Sequence, residues 1–181
     1  MTKNLDLFRQ HFIHASSWTE RKDGVPLYLL DNLTGSELEL AEKAMIDHIS
    51  SGDPWAIEGL GYIKSTLALP TLYKLLPKSR KATKLRIAHA IYRICGDISM
   101  TDLVLKEVPS IKTQPELIEV LYMLPEFKDE RVNLLLQGYR EHKEYLIAYN
   151  ATRALGLPTD EVVTRFRQPK PKQEFWKKFL G

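Results

Sequence analysis

Four stretches of this chain repeat one another at a step of about 31 residues, and that repeat restricts the fold more than any other feature. Ala56, Ile87, Leu117 and Ala148 align, as do Gly59, Ala90, Val120 and Ala151, then Leu60, Ile91, Leu121 and Thr152, then Ile63, Ile94, Leu124 and Leu155. Within each stretch the positions run i, i+3, i+4, i+7, the spacing that places side chains on one face of an α-helix. All but Thr152 are apolar or small. A second set of rows interleaves with the first: Leu40, Leu72, Val104 and Leu135, then Ala44, Leu76, Val108 and Tyr139. Two registers in one period mean two helices per unit, and such a unit buries its apolar faces only against its neighbours. The expected fold is all-α, an α-solenoid of about four to five helical hairpins behind an N-terminal helical cap.

The punctuation agrees with that reading. Ser36, with Glu39 three residues on, reads as a capping box opening the first long helix. Asp53 can cap the next helix, with Pro54 at its first position. Cys95-Gly96-Asp97, Pro109, Pro115, Pro125 and Leu155-Gly156-Leu157-Pro158 mark the later turns. No stretch alternates as a β-strand would. Residues 1–35 are then a helical cap and loop, with Leu5, Phe8, Phe12 and Ile13 on one helical face. Residues 36–157 are the repeats. Residues 158–181 hold a short helix capped by Thr159, a Pro/Lys linker and a basic-aromatic tail, whose Phe175, Trp176, Phe179 and Leu180 are expected to cover the open end of the stack.

A hydrophobic share of 44% beside 27% charged residues is that of a globular protein with a real core. The single cysteine, Cys95, excludes a disulfide within the chain and a four-cysteine zinc site, and is expected to be a small buried side chain. No apolar run approaches the roughly 20 residues of a membrane span, and no signal-like stretch follows Met1, so a cytoplasmic location is expected. The net charge of +3 is unevenly spread. Six acids and one base lie between Glu37 and Glu58; eight bases and no acid lie between Glu58 and Asp97. The segment from Arg165 onward carries +5, which leaves the rest of the chain at −2. Such blocks steer partners without identifying them.

Leu85-Arg86-Ile87-Ala88-His89-Ala90-Ile91-Tyr92-Arg93-Ile94-Cys95-Gly96-Asp97 resembles the second helix of a HEAT-like repeat, and Ala151-Thr152-Arg153-Ala154-Leu155-Gly156 and Gly59-Leu60-Gly61-Tyr62-Ile63 resemble its later half. The resemblance spans about residues 36–157, and the period is similar to the short bacterial type. Leu124-Pro125-Glu126 departs from it where Gly-Asp is expected, which implies a distorted turn. HEAT-like proteins include adaptors, nucleic-acid enzymes and pigment lyases, so the fold alone does not set the function. Gly52-Asp53-Pro54-Trp55-Ala56, followed by Gly59-Leu60-Gly61 and Ala68-Leu69-Pro70, is similar to small HEAT-like proteins of bacterial toxin–immunity loci. This resemblance implies a non-catalytic immunity or adaptor protein whose partner is another protein, a toxin among them.

Helical geometry sorts the residues beside the core rows into two flanks. One flank, with Ile57, Gly61, Ala88, Tyr92, Ile118, Tyr122, Tyr149 and Arg153, is expected to pack against the paired helices. The other carries Trp55, Glu58 and Tyr62, then Arg86, His89 and Arg93, then Glu116, Glu119 and Met123, then Ile147, Asn150 and Ala154. Trp55, Glu58, Tyr62, Arg86, His89, Arg93 and Glu119 are the expected partner-binding residues of a concave face, since Trp, Tyr and Arg dominate interface hot spots. Glu58, His89 and Glu119 occupy equivalent positions and are expected to form a structural ladder rather than a catalytic set. His11 and His14 lack further ligands, so no metal or cofactor is expected. The alternative is a nucleic-acid-binding protein related to the HEAT-like alkylpurine DNA glycosylases, with Glu58 or Glu119 as its acid.

Overall fold

The computed structural model describes residues 2–167; the basic-aromatic tail and its linker lie outside the described residues. Twelve α-helices and no strand occur among them. The chain opens with α1 (Lys3–Phe8), which runs into a π-helical turn, and continues through the short α2 (Trp18–Arg21) and α3 (Tyr28–Asp31). Then follow α4 (Ser36–Ile49), α5 (Pro54–Tyr62), α6 (Leu69–Leu75), α7 (Lys81–Cys95), α8 (Ser99–Glu107), α9 (Gln114–Met123), α10 (Glu130–Arg140), α11 (Tyr145–Ala154) and α12 (Asp160–Arg167).

Helices α5, α7, α9 and α11 lie side by side in chain order, while α4, α6, α8 and α10 pack on them as a second layer. The repeat rows form the seam. Ala56, Ile87, Leu117 and Ala148 are buried, as are Leu60, Ile91, Leu121 and Thr152. Thr152 tolerates that depth because its hydroxyl donates to Ala148 O at 2.8 Å, which satisfies it within its own helix. Gly59 and Gly61 mark close approaches. A Cβ on Gly59 would lie 2.6 Å from Met45 Sδ and 2.8 Å from Phe12 Cζ, and one on Gly61 would lie 3.0 Å from Ala90 Cα. The N-terminal cap and α7 therefore seat directly on the α5 backbone.

Several expectations need correction. Ser36 is the first helical residue, and the cap position belongs to Gly35, whose φ of 51° and ψ of −129° suit glycine alone. A capping box occurs earlier instead: the Ser17 hydroxyl accepts from Glu20 N, and Glu20 Oε2 accepts from Ser17 N at 2.9 Å, which turns part of the expected polar loop into α2. In the second layer, Leu40 is exposed, and Ala41, Met45 and Ile49 face inward. In α10, Val132 and Leu136 are the buried pair rather than Leu135 and Tyr139. Both helices are thus turned by one residue from the expected register. Cys95 is exposed, because Gly96 ends α7 at once and no later turn covers the thiol; its Sγ donates to Ile91 O at 3.3 Å. The Asp53 cap and Pro54 at the first position of α5 are as expected, with Trp55 N donating to Asp53 Oδ1 at 3.0 Å.

Candidate functional site

A cavity of about 410 Å³ opens where α5, α7 and α9 run side by side, closed on one edge by α2 and the loop after it. Each helix delivers residues one period apart: Trp55 and Glu58 from α5, Arg86 and His89 from α7, Glu119, Tyr122 and Met123 from α9. Five of the seven expected residues therefore share one cavity. The other two do not line it. The Arg93 guanidinium lies 5.5 Å from the centre of the Tyr62 ring, and the Tyr62 hydroxyl donates to Asp31 Oδ1 at 2.7 Å.

Depth separates the five. Trp55 is only 6% exposed, and it packs edge-on against Phe12 with ring centres 5.9 Å apart while Arg21 lies 4.6 Å from its centre. It is a wall rather than a projecting anchor. His89 is 5% exposed and rests on the Phe127 ring at 5.5 Å. Ile147, also expected on this face, is buried. Tyr122, expected to pack inward, is 43% exposed, and its hydroxyl donates to Asn150 Oδ1 at 2.6 Å. The outward swing of Tyr122 follows from α11, where the facing partner is the polar Asn150 rather than an apolar side chain.

The charged groups pair across units, and not along the expected ladder. Glu119 turns to Arg86. Glu126 lies 3.2 Å from His89 Nε2 and 3.4 Å from Arg93 Nε. The His89 approach is too oblique for a well-formed hydrogen bond, and Nε2 is left buried without one. Even so, the nearness of His89 holds the Glu126 carboxyl below the usual carboxylate range, with burial opposing and Arg93 assisting. Glu58 behaves in the opposite way: burial pushes its carboxyl up, and His89, Arg86 and Arg93 only partly offset that. It takes part in no hydrogen bond or ion pair among the described residues.

Arg21, Lys22 and Glu126 also line the cavity and escaped sequence reasoning. Arg21 comes from the capping-box helix, 32 residues before the Asp53 carboxylate it grips through both terminal nitrogens at 2.9 Å. Glu126 is delivered by a 3₁₀ turn, Leu124–Phe127, at the place where the repeat pattern departs from Gly-Asp. That departure was the available signal. Among the described residues no group of three or more His, Cys, Asp and Glu side chains is placed to hold a metal ion, and no helix is long and apolar enough to cross a membrane.

The class these observations define is an all-helical, two-layered protein with a mixed-charge cavity built from equivalent positions of neighbouring helices. No protein-family model, curated protein or solved structure matches the chain.

Proposed function

We propose that the chain is a short HEAT-like α-solenoid that binds another protein through its cavity-bearing face, without catalysis, as a bacterial cytoplasmic immunity or adaptor protein. The observation that carries this reading is the cavity itself. Equivalent positions of three successive helices supply it, and its rim joins exposed Tyr122 to charged groups that are partly neutralised by their neighbours. Such a surface joins aromatic and charged side chains, Tyr and Arg among them, as the surfaces that proteins present to proteins do. A toxin is the partner class to which the resemblance of residues 52–76 points.

Nucleic-acid binding is the second reading, favoured by one observation. Lys64, Lys74, Lys78 and Arg80 are exposed and form no ion pair among the described residues. Against it, the other four bases of the acid-free stretch are answered by acids of the next unit: Lys81 by Glu116, Lys84 by Glu107, Arg86 by Glu119 and Arg93 by Glu126. A continuous phosphate track does not survive that pairing.

Co-expression with the product of the neighbouring gene, followed by gel filtration, tests the choice. The expected result is a complex that stays together, and no release of bases from methylated DNA. Base release that disappears in Glu58→Gln or Glu119→Gln would overturn the binding reading in favour of a glycosylase.

A further inference from the structure

We propose that the segment after the Pro/Lys linker, with Phe175, Trp176, Phe179 and Leu180, is the next inner helix of the stack and docks in the groove that α11 and α12 leave open. The proposal is independent of the protein-binding reading, and it gives this segment a seat and a register.

The groove has a volume of about 340 Å³ and is lined by Tyr145 of α11 and by Val163, Phe166 and Arg167 of α12. Its open side follows from the stack. Each outer unit before it carries two apolar residues four apart, and Leu72 with Leu76, Val104 with Val108 and Val132 with Leu136 are all buried. The corresponding pair in α12 is Val162 and Phe166, of which Val162 is buried and Phe166 only half-buried. Tyr145, whose ring centre lies 5.5 Å from that of Phe166, is 38% exposed. On α4, α6 and α10 the inner helix that comes next in the chain packs directly. Helix α12 has no such successor among the described residues, which stop at Arg167 in the groove wall.

The chain carries that successor in phase. Ala56, Ile87, Leu117 and Ala148 form the core row of the four inner helices, and one further step of about 31 residues falls on Phe179. The neighbouring row, Ile57, Ala88, Ile118 and Tyr149, continues to Leu180 in the same way. Phe175 and Trp176 stand four residues before these two and share their helical face, with Lys177 and Lys178 on the opposite side. The starting point agrees as well. Helix α5 begins five residues after α4 ends, α11 begins five residues after α10 ends, and five residues beyond α12 is Lys172. Pro169 and Pro171 favour an extended connection in between. Residues 168–174 reach up to about 25 Å when extended, and they start from the groove wall itself. A segment tethered so closely has an effective concentration on the order of millimolar, which favours it over the same segment of a second copy. Arg167 also suits this occupant, since a guanidinium stacks on an aromatic ring such as that of Trp176.

The test is NMR on the full chain with labelled valine methyl groups and aromatic rings. The expected result is a nuclear Overhauser contact between the Val163 methyls and the Trp176 or Phe179 ring, and none between chains when differently labelled copies are mixed. Phe179→Ala should shift the Val163 and Tyr145 resonances and lower the amide protection of α12 about tenfold or more. Lys177→Ala, on the opposite side of the same helix, should leave that protection within about twofold. No contact between these groups in the wild type, or equal effects of Phe179→Ala and Lys177→Ala, would overturn the proposal. Contact seen only between differently labelled copies would overturn it in favour of a second copy as the occupant. The wild-type contact decides the matter even if the Phe179→Ala chain fails to fold.

Discussion

Asp53 serves two structures at once. Its carboxylate caps α5 by accepting from Trp55 N, and it accepts both terminal nitrogens of Arg21, whose Nε donates to Ala15 O at 2.7 Å. The N-terminal cap is tied to the first repeat helix through this one side chain. Burial pushes the Asp53 carboxyl up, but Arg21 and the Trp55 amide together outweigh it and hold the group below its ordinary range. Because the unfolded chain then takes up the proton more readily, the stabilisation is complete above about pH 4 and is lost as pH falls through the folded-state value. Asp53→Asn should therefore cost about 2 kcal/mol at pH 7 in urea unfolding, and the gap from wild type should narrow as pH falls below about 4. A gap that stays constant with pH would show that the charge plays no part. Glu58 has the opposite sign. Its raised folded-state value means that its ionised form opposes folding at pH 7, so Glu58→Gln should move the urea midpoint upward at neutral pH and not below about pH 4.

At the scale of elements, glycines set how closely the helices approach. Gly59→Ala pushes a methyl group into Met45 and Phe12, an overpacking cost of about 1–3 kcal/mol that the better helix propensity of alanine offsets by about 1. Gly138, within α10, has open space where a Cβ would stand, so Gly138→Ala should stabilise by up to about 1 kcal/mol. Thermal melts of the two variants should shift in opposite directions; equal shifts would mean that the α5 contact is slack. The repeat predicted the core rows of the inner helices correctly because those positions recur in four copies, but it misplaced the flanking Tyr122 and Ile147. It misjudged α4 and α10 by one residue. In α4 the second register picked Leu40 and Ala44 from the apolar residues of the helix, while packing against its neighbours selected Ala41, Met45 and Ile49. Amphipathic pattern reports a broad face; the neighbour chooses the rotation within it.

Across the whole molecule, helices flanked on both sides are buried far more than those at an end. Helix α7 contributes seven buried residues and touches α5, α6, α8 and α9, whereas α12 contributes Val162 and packs on α11. A stack of this kind opens from its ends. Hydrogen exchange should find the amides of α12 exchanging well before those of α7, and equal protection in the two would show a single all-or-none unit. The α-helical class, the two helices per period and the core rows of the inner helices were legible in the sequence, because helical spacing and a fixed period are local geometry copied four times. So were five of the residues that line the cavity, Trp55, Glu58, Arg86, His89 and Glu119, whereas Arg21, Lys22, Tyr122 and Glu126 were not. Which of those residues lie deep, and which charges find one another, only the tertiary structure decided. Trp55 is buried by Phe12 and Arg21, His89 by Phe127, and Glu119 is drawn from the expected ladder to Arg86. Most of these partners lie about 30 or more residues away in the chain, and each residue of helix register turns a side chain by about 100°, so a one-residue difference in packing exchanges a buried position for an exposed one.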